Sequence, residues 1–171
     1  MLLNTPNGKL KIQADHQYFW RISKQDAETC QQIGGYLAAQ RTPLRLSVVH
    51  RDAPLICSLW YLYEDGRLWC ATQADALVAR AVATESACGF EVANNDPPYR
   101  GIRGQGRVRL HEQGGLEMLE RLVRRYLGAT DTGFARWLLN RDDLEVALSI
   151  EPDWITAWDY GARMRDAVRT D

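Results

Sequence analysis

From position 44 onward, apolar residues come in short runs set apart by turn dipeptides, a rhythm that predicts strands joined by hairpins. LRLSVV (44–49) opens the sheet and HRDAP (50–54) is its first turn. A second apolar run ends in WYLY (60–63), and Asp65-Gly66 joins it to RLWCAT (67–72). The Asp-Gly pair is a strong hairpin signal because it tolerates the positive φ values of a tight turn. Both strands around the first turn are apolar at nearly every position. That predicts burial on both faces, as in a closed barrel with something packed outside it.

Past the second hairpin the period changes. Leu77, Val78, Ala81 and Val82 form a helical stripe within 75–85, with Asp75 in the N-cap position. CGFEV (88–92) is the next strand. Residues 101–111 then alternate strictly. Ile102, Gly104, Gly106, Val108 and Leu110 share one face, and Arg103, Gln105, Arg107, Arg109 and His111 the other. Glycine at two inward positions predicts close approach by another backbone or a flat ligand. LEMLERLVRRYLG (116–128) reads as an amphipathic helix with Leu119, Leu122, Val123 and Tyr126 inward. Its outer face offers Glu117/Arg121 and Glu120/Arg124 pairs, and Gly128 stops it. A shorter helix is expected over 134–140, a strand over 144–150 and a closing strand over 154–160. Ahead of the sheet, Ser23, Asp26 and Glu28 mark a helix start, with its end near Gly34-Gly35 or at Ala39. Residues 1–22 show no clear period, and HQYFWR (16–21) fits either a strand or an arm packing on a neighbour.

Composition narrows this picture. A chain of 171 residues without repeats or linkers fits one domain, 1–171, with 1–36 as an N-terminal arm and helix. Its 21 basic and 22 acidic residues generate no field that favours nucleic acid or an anionic membrane. No apolar run approaches the roughly 20 residues that span a bilayer. The start, MLLNTPNGKLKIQ, lacks a secretory apolar core, so the expected location is cytoplasmic. Cys30, Cys57, Cys70 and Cys88 form no CxxC pair, and the three that lie inside apolar strand segments read as small hydrophobes. His16, His50 and His111 lack metal-ligand spacing, and no metal is expected. GIRGQG (101–106) is not a nucleotide-binding glycine motif, since it departs from G-x-G-x-x-G and lies in an alternating strand. Asp142-Asp143 reads as a loop pair, and no nucleophile–base constellation is visible. No residue is assigned to catalysis, so any chemistry falls to a cofactor that the protein orients.

The strings SLWY (58–61), DGRLWCAT (65–72) and PPYRGIRGQG (97–106), with a short helix between the last two, add a further clue. In this order and spacing they resemble the FMN-binding split-barrel family that includes the pyridoxamine-phosphate oxidases, over about residues 37–160. The resemblance implies a mainly β (α+β) fold, a six-stranded split β-barrel with peripheral helices. It also implies FMN as cofactor, a small organic substrate, oxidoreductase chemistry, and a homodimer that builds each cofactor site across two subunits. A non-catalytic flavin-binding or sensing protein and a deazaflavin-dependent reductase are the alternatives on the same fold.

Carried over position by position, the resemblance assigns Ser58 and Trp60 to the strand that lines the isoalloxazine. Thr72 would meet the phosphate together with the N–H groups that follow it, and Arg80 would reach back to the same point from the helix. Tyr99 and Arg100 match the turn that family members bring from the second subunit, and Trp158 matches an aromatic near the flavin. The family's usual phosphate-loop lysine has no counterpart, because residues 72–82 contain none and its place is held by Leu77 or Val78. That loss, with the C-terminal ARMRDAVRTD, points away from pyridoxamine-phosphate oxidase activity itself.

Overall fold

The computed structural model describes residues 2–4, 10–14, 17–20, 27–141 and 143–168, with side chains over 31–141 and 143–165. Three short strands come first: β1 (Leu2–Asn4), β2 (Leu10–Ala14) and β3 (Gln17–Trp20), paired antiparallel in that order. Helix α1 (Ala27–Ala39) runs through Gly34-Gly35 to the later of the two expected ends. The expected start signals Ser23 and Asp26, and His16, lie outside the described residues.

The main sheet begins with β4 (Leu44–His50), β5 (Ala53–Leu59), β6 (Leu62–Glu64) and β7 (Arg67–Gln73). Arg51 and Asp52 make the first turn at φ 49 and 62, and Asp65 and Gly66 the second at φ 51 and 75. Helix α2 (Leu77–Thr84) leads into β8 (Ala87–Ala93) and β9 (Arg100–His111). Two helices, α3 (Gly115–Leu127) and α4 (Gly133–Leu139), precede the long β10 (Glu145–Asp159), and α5 (Gly161–Val168) follows it.

All neighbours in this sheet are antiparallel, in the order β5-β4-β8-β9-β10-β7-β6. Its two edges, β5 and β6, are joined by only Trp60 and Tyr61, so the sheet curls on itself around Leu46, Leu68, Val92, Leu148 and Ile150. The sheet has seven strands, not the expected six. The apolar run after the first turn breaks at Trp60-Tyr61, and fully buried Tyr61 turns inward there. Conversely, the two strands expected over 144–150 and 154–160 are one strand, which passes Pro152 by a shift of register.

Burial on both faces does not hold for β5. Ser58 is exposed and Ile56 is 69% exposed, because β5 is a sheet edge without a helix over it. It does hold for Glu145–Ile150, all buried. There Leu148 and Ile150 face the inner core, while Ala147 faces a second layer made by α3. The stripe of α3 seats Met118, Leu119, Leu122 and Val123 on that outer face, and Gly128 ends the helix at φ 78. Glu120 pairs with Arg124 as expected, but Arg121 reaches Glu64 on β6 at 2.8 Å instead of Glu117. The inward glycines of β9 are explained by backbone, not by a ligand. A Cβ on Gly104 would lie 2.4 Å from the Trp154 carbonyl, and one on Gly106 2.2 Å from that of Glu151.

Candidate functional site

The seven candidate residues fall into two groups and one outlier. Ser58 and Trp60, at the end of β5, face Thr72 and Gln73, at the end of β7, across a cleft of about 300 Å³. Trp60 is fixed by stacking on Tyr126 of α3, with centroids 4.9 Å apart and planes 7° from parallel. Leu119, Leu122, Phe134 and Leu138, from α3 and α4, form the apolar wall. Ladder register brings Glu145 beside Gln73 and Val146 beside Thr72. The start of α3 sits tightly on this point, since a Cβ on Gly115 would lie 2.0 Å from the Glu145 carbonyl oxygen.

Arg141 and Glu145 are the charged residues of this cleft. Their side chains meet at 2.7 Å, and that of Glu145 is only 5% exposed. Burial holds its carboxyl above the usual range, with Arg141 pulling the other way. Neither residue was a sequence candidate. The available signal was a carboxylate at Glu145 in LEVALSI (144–150), a stretch that is otherwise apolar except for Ser149. Asp143, read as half of a loop pair, accepts from Gln73 and lies 3.8 Å from Arg141; Asp142 lies outside the described residues.

Arg80 is the outlier. It sits on the exposed side of α2, opposite Val78, Ala79, Ala81 and Val82, which are buried. The N-cap of this helix is Ala76 rather than Asp75, and no side chain caps it. Asp75 lies one residue too early to reach the first-turn N–H groups. The first turn therefore presents Leu77, Val78 and Ala79 with their backbone donors and no acidic side chain.

Tyr99, Arg100 and Trp158 come together at the other end of β9 and β10. Trp158 pairs with Gly101, and a Cβ there would lie 2.8 Å from the indole. The Trp158 Nε1 is buried without a hydrogen-bond partner among the described residues. Asn94 holds the Pro97–Arg100 turn through the Arg100 N–H at 2.7 Å and the Pro98 carbonyl at 3.0 Å. The Tyr36 hydroxyl donates to the Arg100 carbonyl at 3.1 Å, and burial raises its pKa. Between Thr72, opposite Val146, and Arg100, opposite Asp159, runs almost the whole of β10. At about 3.3 Å per residue, that is roughly 40 Å of strand.

Many structures solved for other proteins are similar, three of them as follows. A conserved hypothetical protein from Mycobacterium tuberculosis superposes with a TM-score of 0.63 at 24% identity, covering 81% of this chain and 91% of that one. An F420 reductase gives 0.59 at 18% identity, over 70% and 93% of the two chains. A candidate pyridoxamine 5'-phosphate oxidase from Listeria innocua gives 0.57 at 16%, over 74% and 95%. No family model matches the chain, and no curated protein matches it in sequence. The fold is the split barrel of the pyridoxamine 5'-phosphate oxidase-like proteins, in an α+β arrangement. Among the described residues, no helix is long and apolar enough to cross a membrane, and no cluster of His, Cys, Asp and Glu could hold a metal.

Proposed function

We propose that this protein is an FMN-binding oxidoreductase acting on a small organic molecule, and that a homodimer is its working unit. The observation that carries the reading is the meeting of Ser58, Trp60 and Thr72 in one cleft, as their family order implied. The donor set fits a flavin in two parts. Ser58 and the backbone beside Trp60 offer polar groups to the edge of the ring, and the Leu119–Leu122 wall offers apolar surface. Thr72 and the free N–H groups of the first turn of α2 offer donors to a phosphate, with Arg80 one turn further on. When bound, a flavin supplies two-electron hydride chemistry. The chain's own part is to orient the ring and to keep water from it.

Tyr99, Arg100 and Trp158 lie at the opposite end of β10 from this cleft. If they serve a flavin, it is the one held by a second copy. Dimerisation then completes each site with residues from both chains. A deazaflavin cofactor is the second reading, favoured by the absence of any cation from the first turn of α2 and by the likeness to an F420 reductase.

The test is the visible spectrum of purified protein after reconstitution with FMN, FAD, riboflavin or a deazaflavin. Retention of FMN in preference to riboflavin and FAD is expected. Retention of the deazaflavin alone selects the second reading, and equal retention of riboflavin and FMN removes the phosphate site at Thr72.

A further inference from the structure

The first turn of α2 brings N–H donors to the Thr72 end of the cleft but no cation, and Arg80 stands on the exposed side of that helix. Among the described residues that line the cleft there is one cation, Arg141, on the connection that leads into β10. This connection is tied to the end of β7. The Ala74 N–H donates to the Leu144 carbonyl at 2.8 Å, and the Gln73 amide donates to Asp143. The ladder then sets Glu145 beside Gln73 and Val146 beside Thr72. Arg141 therefore belongs to the Thr72 side of the cleft, where the chain runs on into α2.

The guanidinium is held in place with donors left over. Its carbon lies 5.2 Å from the centre of the Trp137 ring, and its Nη2 meets the Glu145 carboxylate at 2.7 Å. Among the described residues that is its one hydrogen bond. Nε is buried without a partner, 3.8 Å from the Asp143 carboxylate, and Nη1 donates to none of them. A buried donor without an acceptor costs free energy, which a ligand oxygen would remove. Arginine also presents its N–H groups in a planar fork that matches the oxygens of a phosphate. The two neighbouring carboxylates do not close this fork. Glu145, whose side chain is 5% exposed, offsets the charge of Arg141 but occupies Nη2 alone. Asp143 is 50% exposed and already accepts from Gln73, so water screens it. Arg141 can thus act on an anion by direct hydrogen bonds rather than by a field felt at a distance.

We propose that Arg141 gives the FMN phosphate the cationic contact that would fall to the lysine missing from residues 72–82, and that Glu145 sets how strong this contact is. The inference rests on the flavin reading above, since the phosphate it serves is that of FMN. Position 141 lies outside the strings that carry the family resemblance, on a different element from the missing lysine. Glu145 has a double effect: it fixes the fork beside Thr72, and its own charge weakens the pull of Arg141 on an anion.

The probes are FMN and riboflavin, one ring system with and without the phosphate. Each is titrated into the full chain at neutral pH and followed by quenching of flavin fluorescence. The ratio of the two dissociation constants isolates the phosphate, and the wild type should favour FMN. Arg141→Gln alone would strand Glu145 without its partner, so the double variant R141Q/E145Q, neutral and close in shape, is used. It should lower the preference for FMN about tenfold, the scale of one charge-assisted hydrogen bond, and leave riboflavin affinity within about twofold. Glu145→Gln removes the opposing charge and frees Nη2, so the preference should rise, by about threefold or more. The two variants read the proposal independently, and either one decides it if the other unfolds. It is overturned by a preference that does not fall in the double variant, by one that does not rise in Glu145→Gln, or by equal losses for both ligands. Flavin bound with a preference indifferent to both variants sinks the role of Arg141 alone. A wild type that binds neither ligand sinks the cofactor reading and this inference with it.

Discussion

The Tyr61 hydroxyl donates to the Leu37 carbonyl oxygen over 2.8 Å, and both side chains are fully buried. The same carbonyl accepts from Arg125 at 2.9 Å, and Arg125 also reaches the carbonyls of Ala38 and Gln40 at 3.0 and 2.6 Å. The last carbonyls of a helix lack partners within it, so α1 is closed at its end by residues of the β5–β6 junction and of α3. This joins α1 to the back of the layer that carries Trp60 and Tyr126.

Tyr61→Phe should cost about 1 kcal/mol near pH 8, because Arg125 still serves the Leu37 carbonyl. The pH dependence has a definite sign. Burial raises the Tyr61 pKa in the folded chain, whereas an unfolded tyrosine releases its proton near pH 10. Below that pH the bond contributes in full; above it the unfolded state gains by ionising and stability falls. Urea melts of both proteins at pH 8 and pH 10.5 should show the gap narrowing at the higher pH. A gap that widens would show that Tyr61 ionises more easily in the fold.

Thiol accessibility should follow the strands. Cys57 is half-exposed on the edge strand β5, Cys70 is fully buried, and burial pushes the Cys88 thiol up to about 11. In a Cys30→Ser background at pH 8, a maleimide should modify Cys57 first. Cys70 and Cys88 should react only as fast as the chain unfolds, since the thiolate is the reactive form. Peptide mapping at timed intervals reads the order, and early labelling of Cys88 would show that β8 opens locally.

Much of this architecture was legible because its causes are local. Asp65-Gly66 needs only its own backbone freedom to set a hairpin, and Leu119, Leu122 and Val123 need only helical spacing to define a face. The strict alternation of 101–111 fixed β9 for the same reason. What escaped depends on partners distant in sequence. The break at Trp60-Tyr61 follows from Tyr61 meeting α1, and β10 runs on past Pro152 because Gly104 and Gly106 leave room for the displaced backbone. Ser58, Trp60 and Thr72, the residues proposed for the flavin, were singled out through the order of short strings. Arg141 and Glu145 were not, because a charge in an apolar strand announces burial but does not name its partner.

Arg80→Ala should weaken FMN binding about tenfold, the scale of one charge-assisted hydrogen bond discounted for exposure. Riboflavin, lacking the phosphate, should bind unchanged. Equal losses for both ligands, measured by fluorescence quenching of the flavin, would make Arg80 a structural residue of α2.

Mixing two impaired chains tests the shared site. Arg80→Ala and Arg100→Ala chains, each binding flavin poorly, are unfolded together and refolded. A site built from two copies predicts that a mixed dimer regains one intact site, up to half the normal flavin per dimer. If both variants remain dimeric and mixing restores nothing, each site belongs to a single chain.

Among the described glycines Gly115 has the closest approach, its absent Cβ falling 2.0 Å from the Glu145 carbonyl oxygen. The depth of the cleft is thus decided from behind, by a residue no ligand would touch. A single methyl at position 115 would lever α3 away from β10 and take Leu119 and Leu122 with it, widening the apolar wall without altering any residue that faces the ligand. Variation in what this scaffold admits can therefore arise from outside the cleft, through the spacing of two backbones.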